Sequence, residues 1–182
     1  MIHTPLSLSE IASDPGTQAR IRLDQGTVLE YLDALLDGAT LPPITVVRAP
    51  AVSPAYYLAD GWHRVEAHRR ARRETILAEV VGPLSEAGGD PRRTAILLAA
   101  GANTRHGLRR TRADVARACE LLLRDPEWAQ WSDREIARRV GCHHQTVAAR
   151  RAELAARAPS GENRQIGSGR LEVQEGCFAK VL

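Results

Sequence analysis

The chain has 182 residues, of which 43% are hydrophobic and only 4% aromatic, so aliphatic residues and alanine must supply most of its core. Its net charge of +3 comes from a cation set of 24 arginines and one lysine, and arginine is the better partner for phosphates and base edges. Three widely spaced cysteines without a C-x-x-C motif argue against a disulfide framework or a cysteine-based zinc site. The sequence has no signal segment and no membrane-length apolar run, which predicts a cytoplasmic protein without a membrane partner.

The first predicted elements are a helix and a β-hairpin. The first 26 residues contain the turn-rich Ser13-Asp14-Pro15-Gly16, and no element is assigned to them. Apolar residues then recur at helical spacing over 28–36, and Gly38 stands where a helix C-cap belongs. Pro42-Pro43 ends that helix, and the β-branched run at 44–47 predicts a buried strand. Residues 55–59 predict its hairpin partner.

The most informative stretch is residues 58–73, LADGWHRVEAHRRARR. Asp60-Gly61 follows the strand, and the residues after it lack Gly and Pro, which predicts a tight turn and then a helix that opens near 62–64. A helix start after a glycine turn presents unpaired backbone N–H groups and the positive end of the helix dipole. Five arginines crowd the same segment: Arg64, Arg69, Arg70, Arg72 and Arg73. We therefore predict an anion site at this turn.

The pattern becomes helical in the second half of the chain. A further strand is predicted over 76–81, and Asp90 with Pro91 opens a helix that ends at about residue 100. Thr111 caps the next helix, and Ser132 with Glu135 predicts a capping box. We expect a boundary near residue 104, which divides the chain into a domain at 1–104, a helical domain at 105–158 and a flexible tail at 159–182.

Residues 133–152 fit the helix-turn-helix pattern. That motif needs a small residue in its first helix, a glycine at the turn and apolar residues that lock the helices together. Ala137 and Gly141 meet the first two needs, and the locking residues are Ile136, Val140, Cys142 and Val147. Residues 105–157 hold 12 arginines against seven acidic residues, a net charge of +5, as expected of a phosphate-contacting module. The alternative is a plain helical hairpin with solvated arginines.

The second helix of this motif is predicted to begin at His143. Its polar N-terminal residues could then meet base edges in the major groove of double-stranded DNA, and such modules usually bind two half-sites as a homodimer. The predicted DNA contacts are Arg109, Arg110, Arg138, Arg139, His143, His144, Gln145, Thr146, Arg150 and Arg151. Two points stay open: Arg150 stands where an apolar residue is usual, and Arg109 with Arg110 could instead bridge the two domains.

Several segments together carry a resemblance to a known family. Besides LADGWHRVEAHRRA they are GTQARIR at 16–22, PPI at 42–44 and ANTRHGLRRT at 102–111, all upstream of the helix-turn-helix. Over most of residues 5–155 the chain resembles the ParB family of partition proteins and the ParB/sulfiredoxin-like superfamily. The resemblance implies an α+β fold, with a ParB/sulfiredoxin-like N-terminal domain followed by an all-helical domain and a short tail. Because that tail is short, we expect a nucleoid-associated partition accessory protein or transcriptional regulator.

The resemblance also implies that the N-terminal domain binds CTP with Mg²⁺. Carried over onto this sequence, the nucleotide contacts are Gln18, Arg20, Arg22, Gly61, Trp62, His63, Arg64, Asn103 and His106, and Asn103 would help to hold the metal. Partition proteins have a glutamate linked to nucleotide hydrolysis where this chain has Ala102. An alanine cannot orient a water molecule, so the resemblance implies weak or absent hydrolysis.

The superfamily also contains enzymes. Sulfiredoxin has a cysteine directly before its His-Arg pair, where this chain has Trp62, which argues against sulfinic acid reduction. A nucleotide-dependent phosphotransferase (a kinase) or a nuclease is the alternative function on this fold. Either would need a catalytic carboxylate near the phosphates, and Asp60 and Glu66 are the nearby candidates in sequence.

Overall fold

A computed structural model of the chain describes residues 3–49, 55–102 and 109–157. Within these ranges five strands form one sheet: β1 (His3–Ser7), β2 (Ile11–Ala12), β3 (Ile44–Arg48), β4 (Tyr56–Asp60) and β5 (Thr75–Val81). The same ranges contain six α-helices: α1 (Gln25–Leu36), α2 (Trp62–Arg70), α3 (Pro91–Gly101), α4 (Arg112–Leu123), α5 (Asp133–Val140) and α6 (His144–Arg157). The strands and helices predicted between residues 28 and 123 are therefore present, with ends that differ by a few residues.

The sheet has the order β1-β5-β3-β4-β2, with the β-branched strand β3 at its centre. β3 pairs antiparallel with β4, as the predicted hairpin requires, and parallel with β5. The two edge strands β1 and β2 come from the first 26 residues, where the sequence pattern assigns no strand. Pro5 lies in β1 and lacks a backbone N–H, which only an edge strand tolerates, and β2 has two residues. Both strands depend on distant partners, β5 and β4, so local sequence gives little sign of them.

Three helices begin directly after the residues that the sequence marks as caps, namely Asp90, Thr111 and Ser132. The Asp24 carboxylate accepts the Thr27 backbone N–H at 2.8 Å at the start of α1, and Asp90 caps α3. Thr111 and Asp114 form a reciprocal capping box on α4. The predicted box on α5 is only half formed, because the Ser132 hydroxyl accepts the Glu135 N–H while the Glu135 carboxylate binds two arginines of the next turn instead.

Helix α3 is shared between the two halves of the chain. Ala95 packs on Val47 of β3 and Ala59 of β4. Other apolar residues of α3 join the core of the helical half, which surrounds the fully buried Trp128 and includes residues of α4, α5 and α6. The predicted boundary near residue 104 therefore follows a helix that packs on both halves.

Two further observations concern the tail and the lengths of the helices. The predicted tail at 159–182 lies outside the described residues. Among the helices that the structure describes, none is both long enough and apolar enough to cross a bilayer.

Candidate functional site

The segment 60–64 forms a strand–turn–helix junction, as its sequence predicts. Gly61 is the N-cap residue of α2, has a left-handed backbone (φ 103°, ψ 22°) and supplies no side-chain cap. A Cβ atom at this position would overlap Ile44 Cγ2 and lie 2.9 Å from Ile44 Cβ, so only glycine fits between the turn and β3. The first-turn N–H groups of α2 are therefore left for water or an anion.

A cleft of about 270 Å³ opens beside this helix start. Its walls come from the segment before α1, from α1 itself, from the start of α2 and from the end of α3. The lining residues are Ala19, Arg20, Thr27, Tyr31, Pro42, Ala59, Asp60, Gly61, Trp62, His63, Arg64, Ala99 and Ala102. Five of the predicted nucleotide contacts are thus brought together, although they lie in two segments about forty residues apart in the sequence.

Arg64 supports the shape of this cleft more than it supplies charge. Its guanidinium donates to the carbonyl oxygens of Pro42 (2.9 Å) and Pro43 (2.6 Å), and to Asp60 Oδ2 (3.0 Å). The side chain is 14% exposed. These bonds fix the Pro42-Pro43 turn against the start of α2, and the Asp60 carboxylate offsets the positive charge.

His63 is held as a neutral acceptor. Its ring is buried, and Nε2 accepts the backbone N–H of Asp24 at 3.0 Å. Burial lowers the pKa of His63, and the positive charge of Arg20 lowers it further. An accepting Nε2 places the ring proton on Nδ1 when the imidazole is neutral. His63 therefore joins the start of α2 to the start of α1.

Arg20 connects the cleft to the helical half through Asp114. Its Nη1 atom lies 3.5 Å from Asp114 Oδ2, and the two side chains are 11% and 8% exposed. Asp114 Oδ1 also accepts the backbone N–H of Ile21 at 3.1 Å, and Oδ2 accepts that of Thr111 at 2.9 Å. Burial raises the pKa of Asp114, but these hydrogen bonds outweigh it and the pKa falls below its ordinary value. The sequence predicted the helix cap at Thr111, but it gave no sign of the hydrogen bond between Ile21 and Asp114, which are 93 residues apart.

Of the remaining predicted nucleotide contacts, only Trp62 lines the cleft within the described residues. Trp62 lines the cleft, and its buried Nε1 atom has no hydrogen-bond partner among the described residues. Gln18 is half-buried with a similarly unpartnered Nε2 atom, but neither Gln18 nor the exposed Arg22 lines the cleft. Asn103 and His106 lie outside the described residues. Ala102, which on the resemblance stands where partition proteins have a glutamate, lines the cleft.

These groups suit an anion better than a metal ion. A helix start, Arg20 and the indole N–H of Trp62 are all donors, and a triphosphate consists of acceptors. The part of the chain that the structure describes holds no cluster of three His, Cys, Asp or Glu side chains that could bind a metal. Mg²⁺ bound chiefly through phosphates and water needs few protein ligands, so these residues fit a nucleotide and supply little for its metal.

The second candidate surface is the pair α5 and α6. Gly141 ends α5 in a left-handed conformation (φ 71°, ψ 50°), and α6 begins three residues later. Ile136, Val140 and Val147 are fully buried and hold the two helices against α4. Val147 is the only fully buried residue of α6, so most of that helix is open to solvent.

Three of the four polar residues at the start of α6 are exposed. His143, Gln145 and Thr146 are exposed and His144 is half-buried. The helix starts at His144 and not at His143, because the His143 ring stays outside it and accepts the Gln145 backbone N–H through Nδ1 at 3.3 Å. His143 thereby acts as the cap of α6.

Most of the predicted DNA-contacting arginines already have protein partners. Arg139 binds Glu86 and Glu135, and Arg150 binds Glu120 and Glu153. Arg151 binds Asp133 and the carbonyl oxygens of Ala129 and Trp131. Arg110 donates to the carbonyl oxygens of Ala100 and Val140, which is the bridging role that the sequence left open. Arg138 is bound to Glu135 but is 68% exposed, and Arg109 is exposed.

The contact of Arg150 with Glu120 explains why an arginine stands where the helix-turn-helix pattern usually has an apolar residue. The Arg150 side chain is only 17% exposed and reaches Glu120 of α4 at 2.5 Å. A buried ion pair thus joins α6 to α4 at a position where such motifs usually have an apolar contact.

Comparison with known proteins places the fold. No protein-family model and no curated protein sequence matches the chain. Among solved structures, the chain is similar to the C-terminally truncated chromosome-partitioning protein ParB from Caulobacter crescentus complexed to the centromeric parS site. The identity is 18% and the TM-score 0.53, over 84% of this chain and 72% of that one.

Two weaker likenesses accompany it. The same ParB complexed with CTP-γ-S is 19% identical with a TM-score of 0.46, over 85% of this chain and 79% of that one. Sulfiredoxin from Arabidopsis thaliana is 30% identical with a TM-score of 0.37, over 44% of this chain and 85% of that one. The predicted α+β fold class is confirmed by the likeness with the TM-score of 0.53: the chain has a ParB-like fold in which a five-stranded sheet is followed by helices.

Proposed function

We propose that this protein binds double-stranded DNA through a helix-turn-helix formed by α5 and α6, and that a nucleotide, CTP on the family resemblance, binds in the cleft at Gly61. The observation that carries the proposal is the exposed start of α6, held on a basic helical half by three fully buried residues. The solved ParB with the similar fold is complexed to parS DNA, which supports a role as a partition accessory protein or transcriptional regulator.

DNA contact is best assigned to the start of α6. Gln145 and Thr146 are exposed there and can meet base edges, while the exposed Arg138 on α5 suits a phosphate. Arg139, Arg150 and Arg151 are assigned to the internal contacts that they make, since their side chains are only 23%, 17% and 37% exposed. Arg138 also pairs with Glu135, but its greater exposure leaves it accessible to a phosphate. Binding as a homodimer on two half-sites is part of the proposal.

The nucleotide part rests on the donors around the cleft. The start of α2, Arg20 and Trp62 all line the cleft and carry hydrogen-bond donors, while Ala102 offers no carboxylate for hydrolysis. The kinase and nuclease alternative gains no support, because Asp60 and Glu66 are paired with Arg64 and Arg70. Asp114 links Arg20 to α4, so nucleotide occupancy has a direct route to the helical half.

The DNA assignment is tested by selecting bound sequences from a random duplex library and then measuring affinities at several salt concentrations. Gln145→Ala should relax sequence preference by about 1–3 kcal/mol. Arg138→Ala should weaken binding to all sequences and reduce the salt slope by about one. Arg48→Ala, which removes one exposed arginine from the end of β3, is the charge-matched control and should leave affinity unchanged. Equal behaviour of all three variants would sink the assignment.

The nucleotide assignment is tested separately by calorimetric titration of CTP, ATP and GTP, with and without DNA. CTP should bind saturably, Arg20→Ala should weaken that binding, and Arg48→Ala should not. Absence of saturable binding by any of the three nucleotides would refute this part while leaving the DNA assignment intact.

A further inference from the structure

Two cysteines that are distant in sequence meet in the helical core. Cys119 lies in the third turn of α4, and Cys142 lies in the turn between α5 and α6. Their Sγ atoms are 3.8 Å apart. Cys119 is fully buried, whereas Cys142 is half-buried at the edge of the same core. Both are free thiols in the structure, and no group of three metal-binding side chains includes them within the described ranges.

The surroundings make the two sulfurs unequal. The contact with Cys119 lowers the pKa of Cys142 to about 7, against the opposing effect of burial, and the Arg110 guanidinium lowers it further. The same contact and burial raise the pKa of Cys119. Arg110 is held in place by the carbonyl oxygens of Ala100 and Val140, so its charge stays beside the pair. A half-buried thiol with thiolate character beside a buried thiol resembles an attacking and a resolving cysteine.

We propose that Cys119 and Cys142 form a reversible intramolecular disulfide when the protein meets hydrogen peroxide. The Cys142 thiolate attacks one peroxide oxygen and becomes a sulfenic acid, and the other oxygen leaves as water after taking a proton. The Cys119 sulfur then attacks the Cys142 sulfur, the S–S bond forms, and the sulfenic oxygen leaves as a second water with the Cys119 proton. In total the two thiols lose two electrons and two protons, and one peroxide is reduced to two waters.

The geometry needs little rearrangement for this step. A disulfide bond is about 2.05 Å long, so the two sulfurs, which are 3.8 Å apart, must approach by roughly 1.8 Å. The bond would join α4 covalently to the turn that sets the start of α6. If the proposed function holds, oxidation also fixes the helix that contacts DNA, but bond formation itself does not depend on DNA binding.

The test uses the full chain with Cys177→Ser, so that only the pair remains, treated with one equivalent of hydrogen peroxide under native conditions. The mass should fall by about 2 Da as two hydrogens leave. A non-reducing peptide map should contain a peptide that joins Cys119 to Cys142. The melting temperature should rise by roughly 5–10 °C, since the bond closes a loop of 23 residues between two packed elements, and dithiothreitol should reverse the rise. Cys142→Ser in the same background is the matched control, since it keeps Cys119 and cannot form the bond.

Three results would overturn the proposal. One is oxidation of Cys142 to a sulfinic acid, a gain of about 32 Da, without a joined peptide. The other is a joined peptide that forms only when denaturant is present, since the contact would then play no part in it. An equal thermal shift in Cys142→Ser would likewise assign the shift to another effect of the oxidant. Cys119→Ala gives an independent check, because its peroxide-treated form should show no thermal gain.

Discussion

Asp114 is the residue whose removal tests the connection between the two halves most directly. Its carboxylate caps α4 at Thr111, accepts the Ile21 N–H and faces Arg20. Loss of a helix cap costs about 1 kcal/mol, and loss of a hydrogen bond to a charged, buried group costs about 1.5–3 kcal/mol. Because these contributions overlap, we expect Asp114→Ala to lower the free energy of unfolding by about 2–4 kcal/mol.

Asp90→Ala is the matched control for this variant. Asp90 caps α3 by accepting the N–H groups of Arg92 (2.7 Å) and Arg93 (3.0 Å), both exposed contacts within its own helix. Its loss should cost about 1 kcal/mol, the value of a cap alone. The difference between the two variants therefore measures the link from α4 to residues 20–21.

Urea titration followed by tryptophan fluorescence is the assay, since Trp128 is fully buried in the helical core. The pKa of Asp114 is lowered in the folded state, so its stabilisation is present above the unfolded pKa of about 3.9 and is lost as the pH falls below it. The gap between wild type and Asp114→Ala should thus be full at pH 7 and should narrow towards the acid limit of folding. A cost no larger than that of Asp90→Ala, or a gap independent of pH, would refute the reasoning.

Two further predictions concern the cleft. Gly61→Ala should destabilise the fold by about 1–3 kcal/mol and weaken the proposed nucleotide binding, because its Cβ meets Ile44 at a positive φ. Gly26→Ala in the first turn of α1 has room for its Cβ and should instead be slightly stabilising in thermal melts. His63→Gln should flatten the dependence of the free energy of unfolding on pH between about pH 5 and 7. Burial lowers the pKa of His63 in the folded state, so below about pH 6.5 the unfolded state binds a proton that the folded state does not. The wild type therefore loses stability as the pH falls through this range. His3→Gln, at the exposed histidine that begins β1, is its control in the same denaturant series, and an unchanged curve for His63→Gln would contradict the burial argument.

The sequence predicts elements well where the signal is local. Caps such as Asp90 and Thr111, and the glycine turn at Gly61, act within one helical turn, and each marks a helix start in the structure. Strands β1 and β2 carry no such signal, because their stability comes from pairing with β5 and β4. The order of the helices, central strands and turns was therefore predictable from the sequence, whereas the edge strands β1 and β2 were not.

In the candidate site, too, the local structure was predictable from the sequence and the long-range contacts were not. Residues 61–64 were predicted to open a helix beside an anion site, and the structure places them at a cleft. Their individual contacts were not predictable, because His63 accepts from Asp24 and Arg64 donates to Pro42 and Pro43, partners that lie 21 or more residues away. The cysteine pair shows the same limit, since the wide spacing in sequence argued against a disulfide framework and gave no sign that the fold brings Cys119 and Cys142 together.

The arginines of the helical half show why charge counts alone do not assign contacts. An internal ion pair leaves the net charge of +5 unchanged, so the long-range attraction to DNA persists. The same pairs occupy the guanidinium donors, because Arg139 is held between Glu86 and Glu135 and Arg151 between Asp133 and two carbonyls. DNA would thus be attracted by the whole helical half but contacted by few arginines. This division favours base contacts from Gln145 and Thr146, with phosphate contacts limited to exposed groups such as Arg138.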